Sequence, residues 1–277
     1  MWHSSAFHHK ITDLAVKFGA YDQSTALKFV YLSAAAYCDN STLQSWSCEA
    51  CKKVPVDTSS IRIHYNGKEE LSGFTAKMQD GSGLVSFRGT VPSDLPNWVE
   101  NLKSAFHTDY PYSGCNGCQV ADGFDQAYDL LRPGVLASLK AMGLGPGSRV
   151  HLTGHSLGAA MAGLCAFDLN NLGYQVTGYT FGQPRDGDAR YSKTFAQNFP
   201  SGTWYRVTHN ADIVVHLPPE FLGFQHTDTE VWYNEDSTSY TVCDGSGEDS
   251  KCSDSVDLPI SIEDHLHYLN VPISRSC

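Results

Sequence analysis

The sequence predicts an α/β protein with a mainly parallel central sheet and helices on both faces. Three observations support this class. Segments typical of strands alternate with segments of helical periodicity along most of the chain, which is the pattern of a parallel sheet. The 277 residues are 41% hydrophobic, which is sufficient for a large core. No internal repeat or low-complexity linker divides the chain into separate domains. We therefore expect a single domain over residues 1–277.

The individual elements follow in chain order. The first helix is expected over residues 22–37, where small and apolar residues recur at helical spacing. Pro133, followed by Gly134, is expected to disturb a second helix over residues 124–142, because proline cannot donate a backbone hydrogen bond. The remaining helices are expected over residues 157–170 and 189–199. Strands are predicted over residues 61–65, 73–78, 84–88, 149–153, 176–181 and 203–207.

The composition excludes several kinds of partner. The chain carries a formal charge of −11, and nucleic-acid binding relies on clustered lysine and arginine. Its longest apolar runs fall short of the roughly 18–20 residues that a membrane-spanning helix needs. Residues 1–10 lack the apolar centre of a signal peptide, so any secretion signal is expected to have been removed or replaced. We expect a monomer that binds no nucleic acid and has no transmembrane segment.

The nine cysteines indicate an oxidising compartment. Their spacing favours four disulfides and leaves Cys165, on the helix over residues 157–170, as a buried free thiol. Zinc binding by the two pairs with CxxC spacing is the alternative, although their surroundings do not resemble a zinc ribbon. The expected disulfides are Cys38–Cys277, Cys48–Cys51, Cys115–Cys118 and Cys243–Cys252.

A candidate nucleophile lies between an apolar strand and a helix. Residues 154–158 read Gly-His-Ser-Leu-Gly, a G-x-S-x-G motif whose serine is Ser156. The motif requires a sharp turn that exposes the serine hydroxyl, and Gly154 and Gly158 leave room for the strand and helix to pass each other. The start of the following helix presents free N–H groups to an oxyanion. Ser156 is therefore expected to be the nucleophile that attacks an ester carbonyl.

Several motifs together resemble the fungal class 3 lipases, a family that also contains feruloyl esterases. The resemblance extends from about residue 22 to residue 277 and implies the α/β-hydrolase fold. The cysteine pairing agrees with the pattern found in that family. The matching segments are Gly-His-Ser-Leu-Gly-Ala-Ala (154–160), Val-Ser-Phe-Arg-Gly-Thr (85–90), Phe-Gly-Gln-Pro-Arg (181–185), Thr-His-Asn-Ala-Asp (208–212) and Asp-His-Leu-His-Tyr (264–268).

The resemblance implies the other members of a catalytic triad. In this fold the order along the chain is serine, acid and histidine, and the resemblance assigns the acid to Asp212. It assigns the histidine to His265, within a family pattern from which the chain departs only at Leu269, where phenylalanine is usual. His267 is the nearest alternative. The other histidines in this part of the chain are His209, His216 and His226, of which the last two are expected to make structural hydrogen bonds.

An oxyanion hole requires two donors that point at the developing charge. The backbone N–H of Leu157, directly after the nucleophile, is one. The second is expected from the loop after an earlier strand, and by resemblance Thr90 supplies its backbone N–H and its hydroxyl. Arg88, in the same loop, is expected to form a structural ion pair behind the site rather than to bind substrate.

The segment over residues 91–102 is expected to form a short helical lid. Leu95, Trp98, Val99 and Leu102 fall on one helical face, and the resemblance implies that this segment covers the site in water and opens at a lipid surface. The alternative is a helix that packs statically on the core. Walls of the acyl-binding cleft are expected from Val214 and Leu217, just after the acid, in addition to the apolar face of the lid.

These features predict a secreted serine carboxylester hydrolase that needs no metal or organic cofactor. By resemblance it is a lipase that acts on acylglycerols at a lipid–water interface, and the presence of Asn97-Trp98 favours this over a feruloyl esterase. An esterase of soluble aryl or short-chain esters is the alternative. The remote alternative is an inactive hydrolase fold that binds lipids or proteins. A binding protein has no chemical need for all three triad residues.

Overall fold

The computed structural model of the protein describes residues 20–277. The prediction about a secretion signal concerned residues 1–10, which lie outside the described residues. Within residues 20–277, the helices are α1 (Gln23–Ala35), α2 (Asn40–Gln44), α3 (Leu95–Leu102), α4 (Asp122–Ala141), α5 (Leu157–Asn171), α6 (Ala189–Asn198) and α7 (Ile262–His265). The strands are β1 (Val56–Asn66), β2 (Leu71–Met78), β3 (Gly83–Phe87), β4 (His107–Asp109), β5 (Gln119–Ala121), β6 (Arg149–His155), β7 (Gln175–Phe181), β8 (Gly187–Asp188), β9 (Trp204–His209), β10 (Phe224–Gln225), β11 (Glu230–Tyr233), β12 (Tyr240–Val242), β13 (His267–Tyr268) and β14 (Val271–Pro272).

An eight-stranded sheet positions the site. Its order is β1-β2-β3-β6-β7-β9-β11-β12. The five strands from β3 to β11 pair in parallel, and the pairs at the two edges are antiparallel. This confirms the predicted mainly parallel sheet. The carboxyl ends of parallel strands meet at one edge, so the loops after β3, β6, β7 and β9 converge there.

Helices cover both faces of the sheet. Consecutive strand residues point to opposite sides, so a strand of apolar residues has to be covered on both faces. On β3, Leu84 packs in the core cluster that contains Phe29 of α1. Its neighbour Val85 packs in the second cluster, which contains Tyr128 of α4 and Leu164 of α5. The sheet therefore separates two hydrophobic cores, as the predicted layers require.

Several elements differ from the predictions. The helix expected to be disturbed at Pro133 is a single helix, α4, that runs through this proline. Strands β11 and β12, with four and three residues, were not predicted. Asp22 precedes α1 as its N-cap, and its carboxylate accepts a hydrogen bond from the Thr25 backbone N–H at 2.9 Å. None of the described helices is both long and apolar enough to cross a membrane.

The cysteines pair in the structure as their spacing suggested. Disulfides link Cys38 to Cys277, Cys48 to Cys51, Cys115 to Cys118 and Cys243 to Cys252. The Cys38–Cys277 bridge joins the end of α1 to the C-terminus across 239 residues. Cys165 is a free thiol buried in α5.

Candidate active site

Ser156 lies in a tight turn between β6 and α5. Its backbone has φ 61° and ψ −130°, a conformation that costs an L-residue about 1–3 kcal/mol. The two flanking glycines allow this turn, because a Cβ on Gly154 would overlap the backbone of Gly158, and one on Gly158 would overlap that of Phe87. Ser156 is fully buried, and its N–H donates to the Phe181 carbonyl at 3.0 Å. The surrounding structure therefore holds the hydroxyl above the carboxyl edge of the sheet.

Asp212 and His265 form a buried pair at the same edge. The Nδ1 atom of His265 lies 3.0 Å from Oδ1 and 2.9 Å from Oδ2 of Asp212, and both side chains are fully buried. Because a carboxylate can only accept, Nδ1 carries the proton and Nε2 is left with a free lone pair. Neither His265 Nε2 nor Ser156 Oγ has a hydrogen-bond partner among the described residues. Such bonds often tighten only when substrate binds.

Tyr268 is a site residue to which the sequence analysis gave no role. Its hydroxyl donates to Oδ2 of Asp212, and the Val214 N–H donates to Oδ1 at 2.7 Å. Burial acts to raise the pKa of Asp212, but the adjacent His265 and these hydrogen bonds outweigh it and hold the pKa below its usual value. The carboxylate therefore stays ionised although it is fully buried. The signal was Tyr268 in the segment Asp-His-Leu-His-Tyr, but Tyr268 is 56 residues away from Asp212 along the chain.

We expect Tyr268→Phe to lower kcat/KM about 10-fold, because a hydrogen bond to a buried charge contributes about 1.5–3 kcal/mol. The acid limb of the pH–rate profile should move to higher pH. Without the hydrogen bond from the Tyr268 hydroxyl the pKa of Asp212 rises, so its carboxylate is lost at a higher pH. Steady-state rates on a soluble ester between pH 4 and 9 test this, with the exposed Tyr65→Phe as control. An unchanged profile and unchanged kcat/KM would contradict the role given to Tyr268.

Gly182, in the loop after β7, is the second site residue that the sequence analysis left without a role. Its φ is +58°, and a Cβ at this position would lie 2.8 Å from Cε1 and Nδ1 of His265 and 2.9 Å from the Tyr268 hydroxyl. Only glycine leaves the space in which the imidazole packs. The motif Phe-Gly-Gln-Pro-Arg contained this glycine, but the sequence did not show that it packs against His265.

The other histidines of the C-terminal region lie outside this pair. Both ring nitrogens of His209 face backbone carbonyls, those of Asp264 and Glu235, at 3.0 Å. His226 donates to the Val215 carbonyl at 2.6 Å, and burial holds its pKa well below the usual value. His216 lies 3.7 Å from Asp254, and His267 is half-buried beside Glu263. His265 is therefore the histidine that the fold brings to Asp212.

Thr90 and Leu157 lie at one cavity beside the nucleophile. Leu157 is the first residue of α5, so its N–H belongs to the helical turn that has no internal acceptors. Thr90 follows β3, and its buried hydroxyl has no partner among the described residues. A Cβ on Gly89 would lie 2.8 Å from Cβ of Ser156, so this loop directly contacts the nucleophile. The arrangement can present two donors to a carbonyl oxygen bound at Ser156.

Arg88 makes different contacts from those that the sequence predicted. Its guanidinium donates to the backbone carbonyl of Glu70, and its backbone N–H donates to the Ser72 carbonyl at 2.9 Å. No carboxylate of the described residues forms an ion pair with it. The predicted structural ion pair is therefore wrong, because the Glu70 carbonyl takes the place of an acid.

Helix α3 lies within the segment expected to form a lid, and its residues line two cavities that reach Leu157. Leu95, Val99 and Leu102 are buried against the core, and Trp98 is partly buried with its ring 6.4 Å from that of Phe124. The helix begins at Leu95, so the residues from 91 to 94 are a turn that leads into it. The full burial of the candidate nucleophile, acid and histidine is the state expected of a closed lid.

Two cavities flank α3 and both reach Leu157. The larger has a volume of about 620 Å³, and the smaller, of about 350 Å³, also contacts Thr90. Val214 and Leu217, expected as walls of an acyl-binding cleft, are buried in the core and line neither cavity. The apolar residues that line the larger cavity include Leu71, Trp98, Leu102, Phe124, Leu130 and Leu157.

Comparisons with known proteins place the chain among lipases. The family model described as "Lipase (class 3)" matches residues 84–222. A lipase of Rhizomucor miehei is 31% identical over 256 residues, which cover 88% of this chain and 67% of that protein. A lipase of Rhizopus niveus is 29% identical, covering 88% of this chain and 62% of that protein. The chain therefore spans about two thirds of the length of these relatives.

A further relative and two solved structures agree. The secreted mono- and diacylglycerol lipase 1 of Fusarium solani is 34% identical over 173 residues, 58% of this chain and 49% of that protein. The structure of Rhizomucor miehei triacylglyceride lipase matches with a TM-score of 0.78 and 27% identity over 94% of this chain and 99% of that one. A triacylglycerol lipase whose catalytic centre is described as a serine protease triad matches with a TM-score of 0.77 and 28% identity, over 94% and 99% of the two chains.

Proposed function

Because the chain belongs to the class 3 lipase family, we propose that it is a secreted lipase that hydrolyses acylglycerols at a lipid–water interface. The observation that carries this proposal is the cavity of about 620 Å³ beside Leu157, to whose lining α3 contributes the apolar side chains of Trp98 and Leu102. A cavity of this size and lining accommodates an acyl chain, whereas polar substrates gain little from it. The four disulfides suit an extracellular protein.

The proposed reaction is acyl transfer to Ser156 and then to water. His265 removes the proton of the Ser156 hydroxyl as it attacks the ester carbon, and Asp212 stabilises the resulting imidazolium. The backbone N–H groups of Leu157 and Thr90 stabilise the negative charge on the carbonyl oxygen. His265 then protonates the leaving alcohol. Water, activated by the same histidine, releases the fatty acid and restores Ser156.

The buried face of α3 supports interfacial activation. A fully buried leucine or valine side chain contributes about 1.5–3 kcal/mol, so exposing Leu95, Val99 and Leu102 to water costs on the order of 5 kcal/mol. That cost keeps the helix closed over Ser156 in water. A lipid surface removes most of it, because the same side chains then enter an apolar medium. Opening, and with it activity, is thereby coupled to the interface.

Exposed apolar side chains around the site support the same proposal. Phe106, Phe221, Leu258 and Ile260 are between 73% and 84% exposed. Phe106 lies at the larger cavity, and its neighbour His107 contacts the Leu222 carbonyl at 3.0 Å, next to Phe221. Ile260 precedes Ser261, whose N–H donates to the Ala211 carbonyl beside the acid. These side chains can contact lipid while the cavity opens toward it.

The test is the hydrolysis rate of a medium-chain triacylglycerol measured across its solubility limit, with Ser156→Ala as the background. The expected result is a steep increase in rate where the emulsion forms, because lipid stabilises the open lid. Methyl ferulate, a soluble ester, is measured in parallel. Saturation below the solubility limit together with equal or faster hydrolysis of methyl ferulate would overturn the lipase proposal in favour of a soluble-ester esterase. No hydrolysis of either ester would favour a binding protein.

A further inference from the structure

A partly buried tyrosine, Tyr37, and a buried histidine, His155, which the proposed reaction does not use, connect the parts of the site. The Tyr37 hydroxyl lies 2.7 Å from Nδ1 of His155, and Nε2 of His155 lies 2.6 Å from the backbone carbonyl oxygen of His265. His155 is 1% exposed and directly precedes Ser156. The two bonds therefore lead from the end of α1, through the nucleophile turn, to the main chain of the candidate catalytic histidine.

The directions of these hydrogen bonds are fixed by chemistry. The His265 carbonyl can only accept, so Nε2 of His155 carries the proton. In a neutral imidazole Nδ1 then accepts, and the Tyr37 hydroxyl donates to it. Burial, followed by the nearby His265, lowers the pKa of His155 to about 3. His155 thus stays neutral and adds no positive charge beside His265, although the two ring centroids are only 4.4 Å apart.

Tyr37 is itself firmly anchored. Its N–H donates to the Ala34 carbonyl at 3.0 Å at the end of α1, and the next residue, Cys38, is bonded to Cys277. Burial raises the pKa of the Tyr37 hydroxyl, while the charge of Arg88 and a hydrogen bond from the Gly89 backbone act in the opposite direction. Gly89 directly precedes Thr90. The hydroxyl therefore also contacts the loop that is expected to supply an oxyanion donor.

We propose that Tyr37 and His155 are positioning residues that fix the main chain of His265 and the loop of Gly89 and Thr90 relative to Ser156. His265 ends a helix of four residues, so its side chain needs a backbone tether in addition to Asp212. Misplacing a catalytic group by about 1 Å costs about 10²-fold in rate. This inference rests on the proposed ester hydrolysis by Ser156, and it adds two residues that touch no substrate.

The experiment compares Tyr37→Phe, His155→Leu and His155→Gln, with Tyr31→Phe on α1 as the matched control. Phenylalanine at 37 removes the hydroxyl but keeps the ring. Leucine at 155 removes the donor to the His265 carbonyl, and glutamine restores a donor near the position of Nε2. For a soluble short-chain ester, kcat is expected to fall about 10-fold in Tyr37→Phe and about 10²-fold in His155→Leu, with KM unchanged. His155→Gln should recover a substantial part of the loss.

A second readout separates this inference from the substrate assignment. The rate at which a nitrophenyl alkylphosphonate labels Ser156 reports the alignment of nucleophile, histidine and oxyanion donors, whatever the natural ester is. We expect the same order of variants in this rate. Wild-type labelling without ester hydrolysis would overturn the proposed function and leave the positioning role testable by labelling. Wild-type kcat and labelling in folded Tyr37→Phe and His155→Leu, or equal impairment of His155→Gln and His155→Leu, would overturn the positioning role.

Discussion

Replacing Ser156 with alanine is expected to lower kcat for ester hydrolysis about 10⁴- to 10⁶-fold, because the acyl-enzyme can no longer form. The stability of the protein should not change. The Ser156 hydroxyl has no hydrogen-bond partner in the described structure, so its removal leaves no group unsatisfied. Alanine meets the same backbone strain at φ 61° as serine does. Initial rates on an emulsified acylglycerol and the midpoint of urea unfolding measure the two effects separately.

Ser201→Ala is the matched control for this change, because Ser201 is exposed in the turn that precedes β9. It should retain wild-type rates. Mass spectrometry after phosphonate treatment provides a direct check, since the label should appear on wild type and be absent from Ser156→Ala. Substantial hydrolysis by folded Ser156→Ala, above the preparation background, would show that another residue is the nucleophile.

Asp212→Asn is expected to lower kcat about 10⁴-fold, because asparagine favours the tautomer of His265 that cannot accept the proton of Ser156. In the wild type the Val214 N–H donates to Oδ1 of Asp212 and the Tyr268 hydroxyl donates to Oδ2, so the asparagine carbonyl oxygen can take the Oδ1 position while its NH₂ group takes the Oδ2 position. Its NH₂ group then faces Nδ1 of His265 and donates to it. The imidazole proton is thereby transferred to Nε2, the atom that has to accept the proton of Ser156. The loss should be largest near neutral pH, where the wild-type carboxylate is ionised.

Asp236→Asn provides the control, because Asp236 is exposed and its side chain accepts from the Thr238 N–H in a turn that asparagine also supports. It should leave kcat unchanged. Single-turnover acylation with a nitrophenyl ester isolates the step in which His265 acts as a base. Near-wild-type acylation by a folded Asp212→Asn protein would exclude Asp212 as the acid of the site.

Helix α3 shows how much of the structure a local sequence pattern can predict. The apolar residues at Leu95, Trp98, Val99 and Leu102 predicted a helix with one apolar face, and the structure contains that helix at Leu95–Leu102. Periodicity follows from the 3.6-residue turn alone, so it needs no knowledge of neighbours. It does not say what the face contacts. The packing of Leu95, Val99 and Leu102 on the core, and hence the buried site, follows only from the assembled chain.

Some predictions failed because a local rule was overridden by the surroundings. Proline lacks a donor, yet α4 continues through Pro133. Arg88 was expected to form an ion pair with a carboxylate, but a backbone carbonyl at Glu70 lies within its reach. Strands β11 and β12 are too short to carry a periodic signal, and they are defined by pairing across the sheet, β11 with β9 and β12 with β11.

By itself, the sequence determined the features that depend on neighbours along the chain. These are the strand, turn and helix around Ser156, the amphipathic lid helix and the alternating elements of an α/β-hydrolase fold. Tertiary structure decided which side chains meet. Asp212 and His265 are 53 residues apart, and the Tyr37–His155 bond spans 118. Contacts at such separations depend on the path of the whole chain, so Tyr268, Gly182 and Tyr37 could be recognised as parts of the site only after folding.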